Sequence, residues 1–192
     1  MPPLILASSS RYRRELLTRL RLPFECVVPG VDETPLAAES HFDRAVRLAL
    51  AKASAVAARY PGGTVIGSDQ VGVCRAEALD KPGDADRARA QLQRLSAAAA
   101  TFYTAVAVLQ LERGSSMQFV DTTTVYFRAL SDAEIDRYIA AEQPFDCAGG
   151  FRGEGLGITL FSRIVCEDPT GLIGLPLIAV ARSLRQLGYE LP

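Results

Sequence analysis

The chain has 192 residues, 48% of them apolar and 22% charged, with a formal net charge of −1. That length supports a substantial core, and the near-neutral balance excludes a general binder of nucleic-acid polymers or membrane surfaces. No apolar run approaches the roughly 20 residues a bilayer-spanning helix needs. The opening Met1-Pro2-Pro3-Leu4-Ile5-Leu6 lacks the basic and long apolar regions of a secretory leader, so a cytoplasmic protein is expected.

Leu4-Ile5-Leu6-Ala7 reads as a buried strand. Ser8-Ser9-Ser10 follows, then Arg11-Tyr12-Arg13-Arg14 and a helix carried by Leu16, Leu17 and Leu20. A strand entering a helix through a hydroxyl-rich turn presents backbone N–H groups where the helix dipole favours an anion. Ser8 and Ser10 add hydroxyl donors there, and Arg13 or Arg14 can clamp phosphate oxygens with two hydrogen bonds. The plainer alternative is a serine-capped surface helix with basic decoration. No Walker A loop occurs anywhere. Pro23 to Val28 reads as a second strand. Pro29 to Pro35 is a loop in which Asp32 and Glu33 are either solvated charges or carboxylates for a metal.

Ser40 with Asp43 opens a helix from about His41 to Tyr60, ended by Pro61-Gly62-Gly63. Lys52 lies inside it, with Leu48, Ala49, Ala55 and Val56 at three and four residues. A lysine on an apolar face either snorkels to water or needs an anionic partner. The 21 basic residues comprise 19 arginines and two lysines, Lys52 and Lys81. A compact ammonium and a planar guanidinium are not interchangeable at a tight site, so both lysines are candidates for work arginine cannot do.

Thr64-Val65-Ile66 reads as a strand, and Gly67-Ser68-Asp69-Gln70 as the segment leaving its end. That segment is either a turn with a solvated Asp or a carboxylate offered to a ligand. Val71 and Val73 lead into a hairpin at Arg75-Ala76-Glu77. Leu79-Asp80-Lys81-Pro82-Gly83 leaves it, with Lys81 held extended by the proline. Asp84 caps a helix to about Leu95, with Ala88, Leu92 and Leu95 inward. Thr101 to Leu111 and Gln118 to Phe127 form an antiparallel hairpin, and Ser131 with Glu134 is a capping box for a helix to about Glu142. Gly149 to Gly157 contains five glycines and one acid, Glu154. Ile158 to Val165 returns to strand, and a last helix lies between Pro176 and Gly188. Cys26, Cys74, Cys147 and Cys166 form no C-x-x-C, which removes zinc-ligand spacing. His41, the single histidine, falls in the first turn of a helix, so histidine catalysis is not expected.

This combination resembles the Maf family of nucleoside triphosphate pyrophosphatases. The matching pieces are Leu6-Ala7-Ser8-Ser9-Ser10 with Arg13-Arg14, Asp32-Glu33, Lys52, Gly67-Ser68-Asp69-Gln70, Leu79-Asp80-Lys81-Pro82, Gly149 to Gly157 and Gly174-Leu175-Pro176-Leu177. The resemblance covers nearly the whole chain as one domain, 1–192. It implies an elongated two-lobed α/β fold with a long mixed twisted sheet flanked by helices, and an active-site cleft between the lobes. It also implies metal-dependent cleavage between the α and β phosphates, giving a nucleoside monophosphate and pyrophosphate.

On that resemblance Asp69, Lys52 and Lys81 are catalytic, and Ser8, Ser10 and Arg13 bind the polyphosphate. Asp69 with Glu33 holds Mg²⁺, for which Mn²⁺ substitutes. Family usage makes Asp69 the proton acceptor. A carboxylate beside a cation is a poor base, so the reading here is that Asp69 mainly holds the metal and orients a water. Tyr12, Gln70 and Glu154 contact the base. Together with Asp146-Cys147-Ala148-Gly149 they look like the branch acting on 7-methyl-GTP, whereas the dTTP and UTP branches carry Arg, Thr and Gln at those three positions. Two departures are Ala97 in place of a glycine and Arg152 in place of a lysine. The partners implied are a small-molecule nucleotide and a second copy in a homodimer, with no nucleic-acid polymer and no membrane. The alternatives are the same chemistry on dTTP, UTP or another altered nucleotide, and a nucleotide-binding regulator of cell division without useful turnover.

Overall fold

The computed structural model describes residues 2–192. Its elements are β1 (Leu4–Ala7), α1 (Arg11–Thr18), β2 (Phe24–Cys26), α2 (His41–Ala57), β3 (Thr64–Cys74), β4 (Glu77–Leu79) and α3 (Ala85–Leu95). There follow β5 (Ala99–Gln110), β6 (Ser115–Phe127), α4 (Asp132–Glu142), β7 (Phe161–Val165) and α5 (Leu177–Gln186). The seven strands form one sheet in the order β2-β1-β3-β5-β6-β7, with β4 beside β3. β1 runs parallel to β2 and β3, while β4 is antiparallel to β3 and β7 to β6. This is the mixed-sheet α/β fold expected. No helix among the described residues is long and apolar enough to cross a membrane.

The chain divides into two compact units. The first comprises the chain up to Gln70, Tyr103–Asp121 and Asp168–Pro192. β1 is buried on both faces, which is why it reads as an unbroken apolar run rather than an alternation. Leu4, Leu6, Ile66, Val106 and Val108 form one core with Leu16 and Leu17 of α1 and Val180 and Leu184 of α5. Ile5, Val65, Ala107 and Leu109 form another with Ala53, Val56 and Ala57 of α2. Successive strand residues alternate between these faces.

The second unit comprises Val71–Phe102 and Thr122–Glu167. Phe102, Phe127, Phe151 and Phe161 meet edge to face in its core, with neighbouring centroids 5.1–5.5 Å apart. The β3–β4 hairpin turns on Arg75 and Ala76, both with positive φ, the conformation that matches strand twist. Ala97 also has positive φ, +55°, a backbone conformation suited to the glycine of the family pattern.

The capping residues sit as their spacing predicts: Ser10, Ser40 and Asp84 accept from the third residue onward, and Ser131 with Glu134 closes a full box. Three expectations need correction. β7 begins at Phe161, because Leu156–Leu160 coils as a 3-10 turn first. α2 ends at Ala57 rather than near Tyr60. The third correction concerns Gly67 to Gln70, which are not a turn.

Candidate active site

β3 runs straight through Gly67-Ser68-Asp69-Gln70, so Asp69 lies within an 11-residue strand rather than at its tip. Turn-forming residues stay extended here for a packing reason. A Cβ on Gly67 would stand 2.3 Å from Ala49 O and 2.5 Å from Ala53 N, so the backbone of α2 lies directly against the strand. β1 stops at Ala7, which pairs with Gly67, and β3 continues past it. Asp69 therefore stands beyond the carboxyl end of β1, beside the Ser8–Ser10 turn, where open α/β sheets bind ligands.

Alternation then sorts the side chains. Gly67 and Asp69 share the α2 face with Val65, and Ser68 and Gln70 share the α1–α5 face with Ile66. Lys52 sits in the buried stripe of α2, among Leu48, Ala49, Ala53 and Val56, and its side chain is 7% exposed. Its ammonium does not snorkel. Nζ lies 2.7 Å from Asp69 Oδ1 and 2.7 Å from Glu33 Oε1, so one lysine bridges two carboxylates. Asp69 is buried, whereas Glu33 approaches from the surface with 55% of its side chain exposed.

The loop carrying Glu33 is tied to α2 by arginines on the same helix. Arg44 donates to Glu33 O at 3.3 Å, Arg47 donates to Thr34 O at 3.2 Å, and Arg47 pairs with Glu39 through Nε and Nη2. That fork holds Glu39 down at a pKa of about 2. Asp32, the other acid of the pair, turns into its own loop and accepts from Thr34 N and Oγ1. These bonds lower its pKa, and it takes no part in the centre.

Arg13 borders the same charges. Enclosure pulls its pKa below the ordinary arginine value, while Asp69 and Glu33 pull it back up. Its Nε donates to Gly174 O at 2.9 Å, and Ser68 Oγ donates to the same carbonyl at 3.0 Å. The Ser8–Ser10 hydroxyls behave differently from the expectation of free backbone donors. Ser8 Oγ accepts from Ser10 N at 3.1 Å and Ser10 Oγ accepts from Arg13 N at 3.4 Å, so the oxygens cap backbone while each O–H keeps its hydrogen to give.

Tyr12 carries the Arg11 guanidinium over its ring at 4.7 Å from the centroid. Gln70 is more committed than its sequence suggests. Its Nε2 faces Thr104 Oγ1 at 2.9 Å, Gly171 O at 3.0 Å and Leu172 O at 3.0 Å, which leaves the carbonyl oxygen as the end offered to a ligand. Lys81 and Glu154 are exposed residues of the second unit. Arg152 pairs with Glu142 at 2.6 Å, and Glu142 also accepts from Leu156 N at 2.9 Å. One acid on α4 thus shapes the glycine-rich loop around Glu154.

The sequence pattern does not single out the start of the segment Asp168–Leu177. Asp168 is buried, accepts from Thr170 N and Oγ1, and caps α5 by accepting from Ile178 N at 2.7 Å. The Asp-x-Thr spacing was its available signal. A cavity of about 330 Å³ in the first unit, lined by Phe42, Val46, Ala105, Val106 and Phe119, contains none of these charged groups. All four cysteines are free thiols: Cys74 is buried, Cys26 and Cys147 are half-buried and Cys166 is exposed.

Two carboxylates sharing one cation suit a hard, oxygen-seeking dication that takes its remaining ligands from phosphate and water. Among the described residues no group of three or more His, Cys, Asp or Glu is placed to hold a metal by itself. The chain is similar over its length to named proteins. A 7-methyl-GTP pyrophosphatase of Bordetella pertussis is 53% identical over 98% of this chain and 94% of its own. Proteins of the same name from Xanthomonas oryzae pv. oryzae and Xanthomonas campestris pv. campestris are 53% and 54% identical over the full length of both chains. The sequence profile described as Maf-like protein matches residues 3–187, and the chain belongs to that family.

Proposed function

We propose that this chain is a divalent-metal-dependent nucleoside triphosphate pyrophosphatase acting on 7-methyl-GTP. It cleaves between the α and β phosphates, releases 7-methyl-GMP and pyrophosphate, and so removes a modified nucleotide from the pool. The observation that carries the reading is the meeting of Lys52 with Asp69 and Glu33, 2.7 Å from each, beside Arg13 and the serine turn. The names of the relatives support the substrate.

Asp69 and Glu33 would hold the cation, Mg²⁺ with Mn²⁺ as substitute. When bound, that ion neutralises charge on phosphate oxygens and acidifies a water. Asp69 then orients the water rather than acting as its base. Lys52 offsets phosphate charge, Ser8 and Ser10 donate their hydroxyl hydrogens, and Arg13 presents its fork with Nε already satisfied. Lys81 would supply a further ammonium to the polyphosphate. Tyr12 already holds a guanidinium on its face, and the delocalised cation of 7-methylguanine would gain roughly 0.5–2 kcal/mol from the same attraction. Glu154 accepts from the N1–H and 2-amino group of the base, and Gln70 contacts it through its carbonyl oxygen. The setting is the cytoplasm, the assembly a homodimer and the substrate a free nucleotide.

A substrate panel read by pyrophosphate release tests this. Turnover of 7-methyl-GTP with kcat/KM at least about tenfold above GTP, dTTP and UTP is expected, since a charge on the base alters both stacking and pairing. A preference for dTTP or UTP would reassign the branch. Tight binding of 7-methyl-GTP without product would replace the enzyme by a nucleotide-binding regulator.

A further inference from the structure

Gln70 and Thr104 sit on neighbouring strands of the first unit, 34 residues apart in sequence, and share a hydrogen bond of 2.9 Å. Thr104 is fully buried, and its Oγ1 donates to Gly171 O at 2.9 Å. Gln70 Nε2 reaches the same carbonyl and that of Leu172. Three residues on, Gly174 N donates back to Gly171 O at 2.9 Å, so the loop turns on the clamped carbonyl. Gly174 has φ +123°, and its own carbonyl receives Arg13 Nε and Ser68 Oγ. The chain of bonds therefore runs from Thr104 through Gly171 to Gly174, and from there to the Arg13 guanidinium, which interacts electrostatically with Asp69 and Glu33.

We infer that Thr104 is a positioning residue for the triphosphate: with Gln70 it fixes the 171–174 turn, and that turn aims Arg13. Thr104 itself touches no reacting atom. The inference deepens the pyrophosphatase reading and rests on Arg13 receiving phosphate. It also gives Gln70 a second duty besides any contact with the base. A threonine at position 70 is too short to span from the strand to the carbonyls of Gly171 and Leu172, so a chain with that residue would need a different support for the loop.

The test uses the full chain and the affinity of inorganic triphosphate with Mg²⁺, measured by calorimetry, because this ligand carries no base and needs no turnover. Failure of the 7-methyl-GTP assignment therefore leaves it intact. Thr104→Val, which keeps shape and removes the hydroxyl, is expected to weaken triphosphate binding about fivefold, and Thr104→Ser to hold wild-type affinity. In an Arg13→Ala background the same Thr104→Val change is expected to alter affinity less than about twofold, because its effect passes through Arg13. An equal loss in both backgrounds, no loss with Arg13 present, or an equal loss in Thr104→Ser would each overturn the inference.

Discussion

Replacing Lys52 with methionine is expected to remove turnover and to lower folding stability by about 3–5 kcal/mol. The two carboxylates on Nζ do not share this cost equally. Glu33 has 55% of its side chain exposed and returns to water when the ammonium goes, so its share is small. Asp69 has 9% exposed, faces the α2 surface, and would be left as an uncompensated buried charge. Lys52→Arg separates charge from shape. It restores a cation, yet a planar fork must fit among Leu48, Ala49 and Val56, where a single Nζ now reaches two oxygens at 2.7 Å. That variant is expected to recover part of the stability and to lose about 10²–10³-fold in kcat, the usual cost of losing one placed donor. Denaturant midpoints and pyrophosphate release check the two halves, and full activity in Lys52→Arg would remove the reason for a lysine here.

A second large effect is expected at a residue with no side chain. In Gly67→Ala the new methyl group would stand 2.3 Å from Ala49 O and 2.5 Å from Ala53 N. Both neighbours are helix backbone, which cannot rotate aside as a side chain can. α2 would have to retreat from β3, and about 3 kcal/mol or more of destabilisation follows. Because α2 carries Lys52, the same retreat draws the ammonium from Asp69. A displacement on the order of 1 Å costs about 10²-fold in rate even where the fold survives. Gly62→Ala is the control: the nearest atoms to its methyl group belong to the Glu112 side chain, at 3.4–3.6 Å, and it should change stability by less than about 0.5 kcal/mol. Equal midpoints for the two variants would show that Gly67 does not set the distance between helix and strand.

What the sequence made legible was mostly local. Helix starts were readable because Ser40, Asp84 and the Ser131–Glu134 box act within one turn of where they stand. The buried strand of Leu4–Ala7 was readable because both its faces are covered. Gly67-Ser68-Asp69-Gln70 misled for the opposite reason. Gly67, Ser68 and Asp69 each favour a turn when taken alone, and what keeps them extended is a helix backbone pressed on Gly67 and a lysine 17 residues upstream of Asp69. The apolar neighbours of Lys52 on its helix signalled a need for anionic company, though they could not say that the company would be two carboxylates. The amide of Gln70 was beyond reach of any local argument, since its partners lie 34 to 102 residues away.

On the proposed function Asp69 and Glu33 form a cation site that serves a triphosphate, with Asp69 holding metal rather than taking a proton. Asp69→Asn tests it most directly, because the amide oxygen still accepts from Lys52 and the fold is kept. Mn²⁺ affinity of the full chain by calorimetry, set beside its rate of pyrophosphate release, is the measurement. Both are expected to fall together, the affinity by at least about tenfold for the loss of one anionic ligand. Wild-type Mn²⁺ affinity with turnover lost would make Asp69 the base instead of a metal ligand.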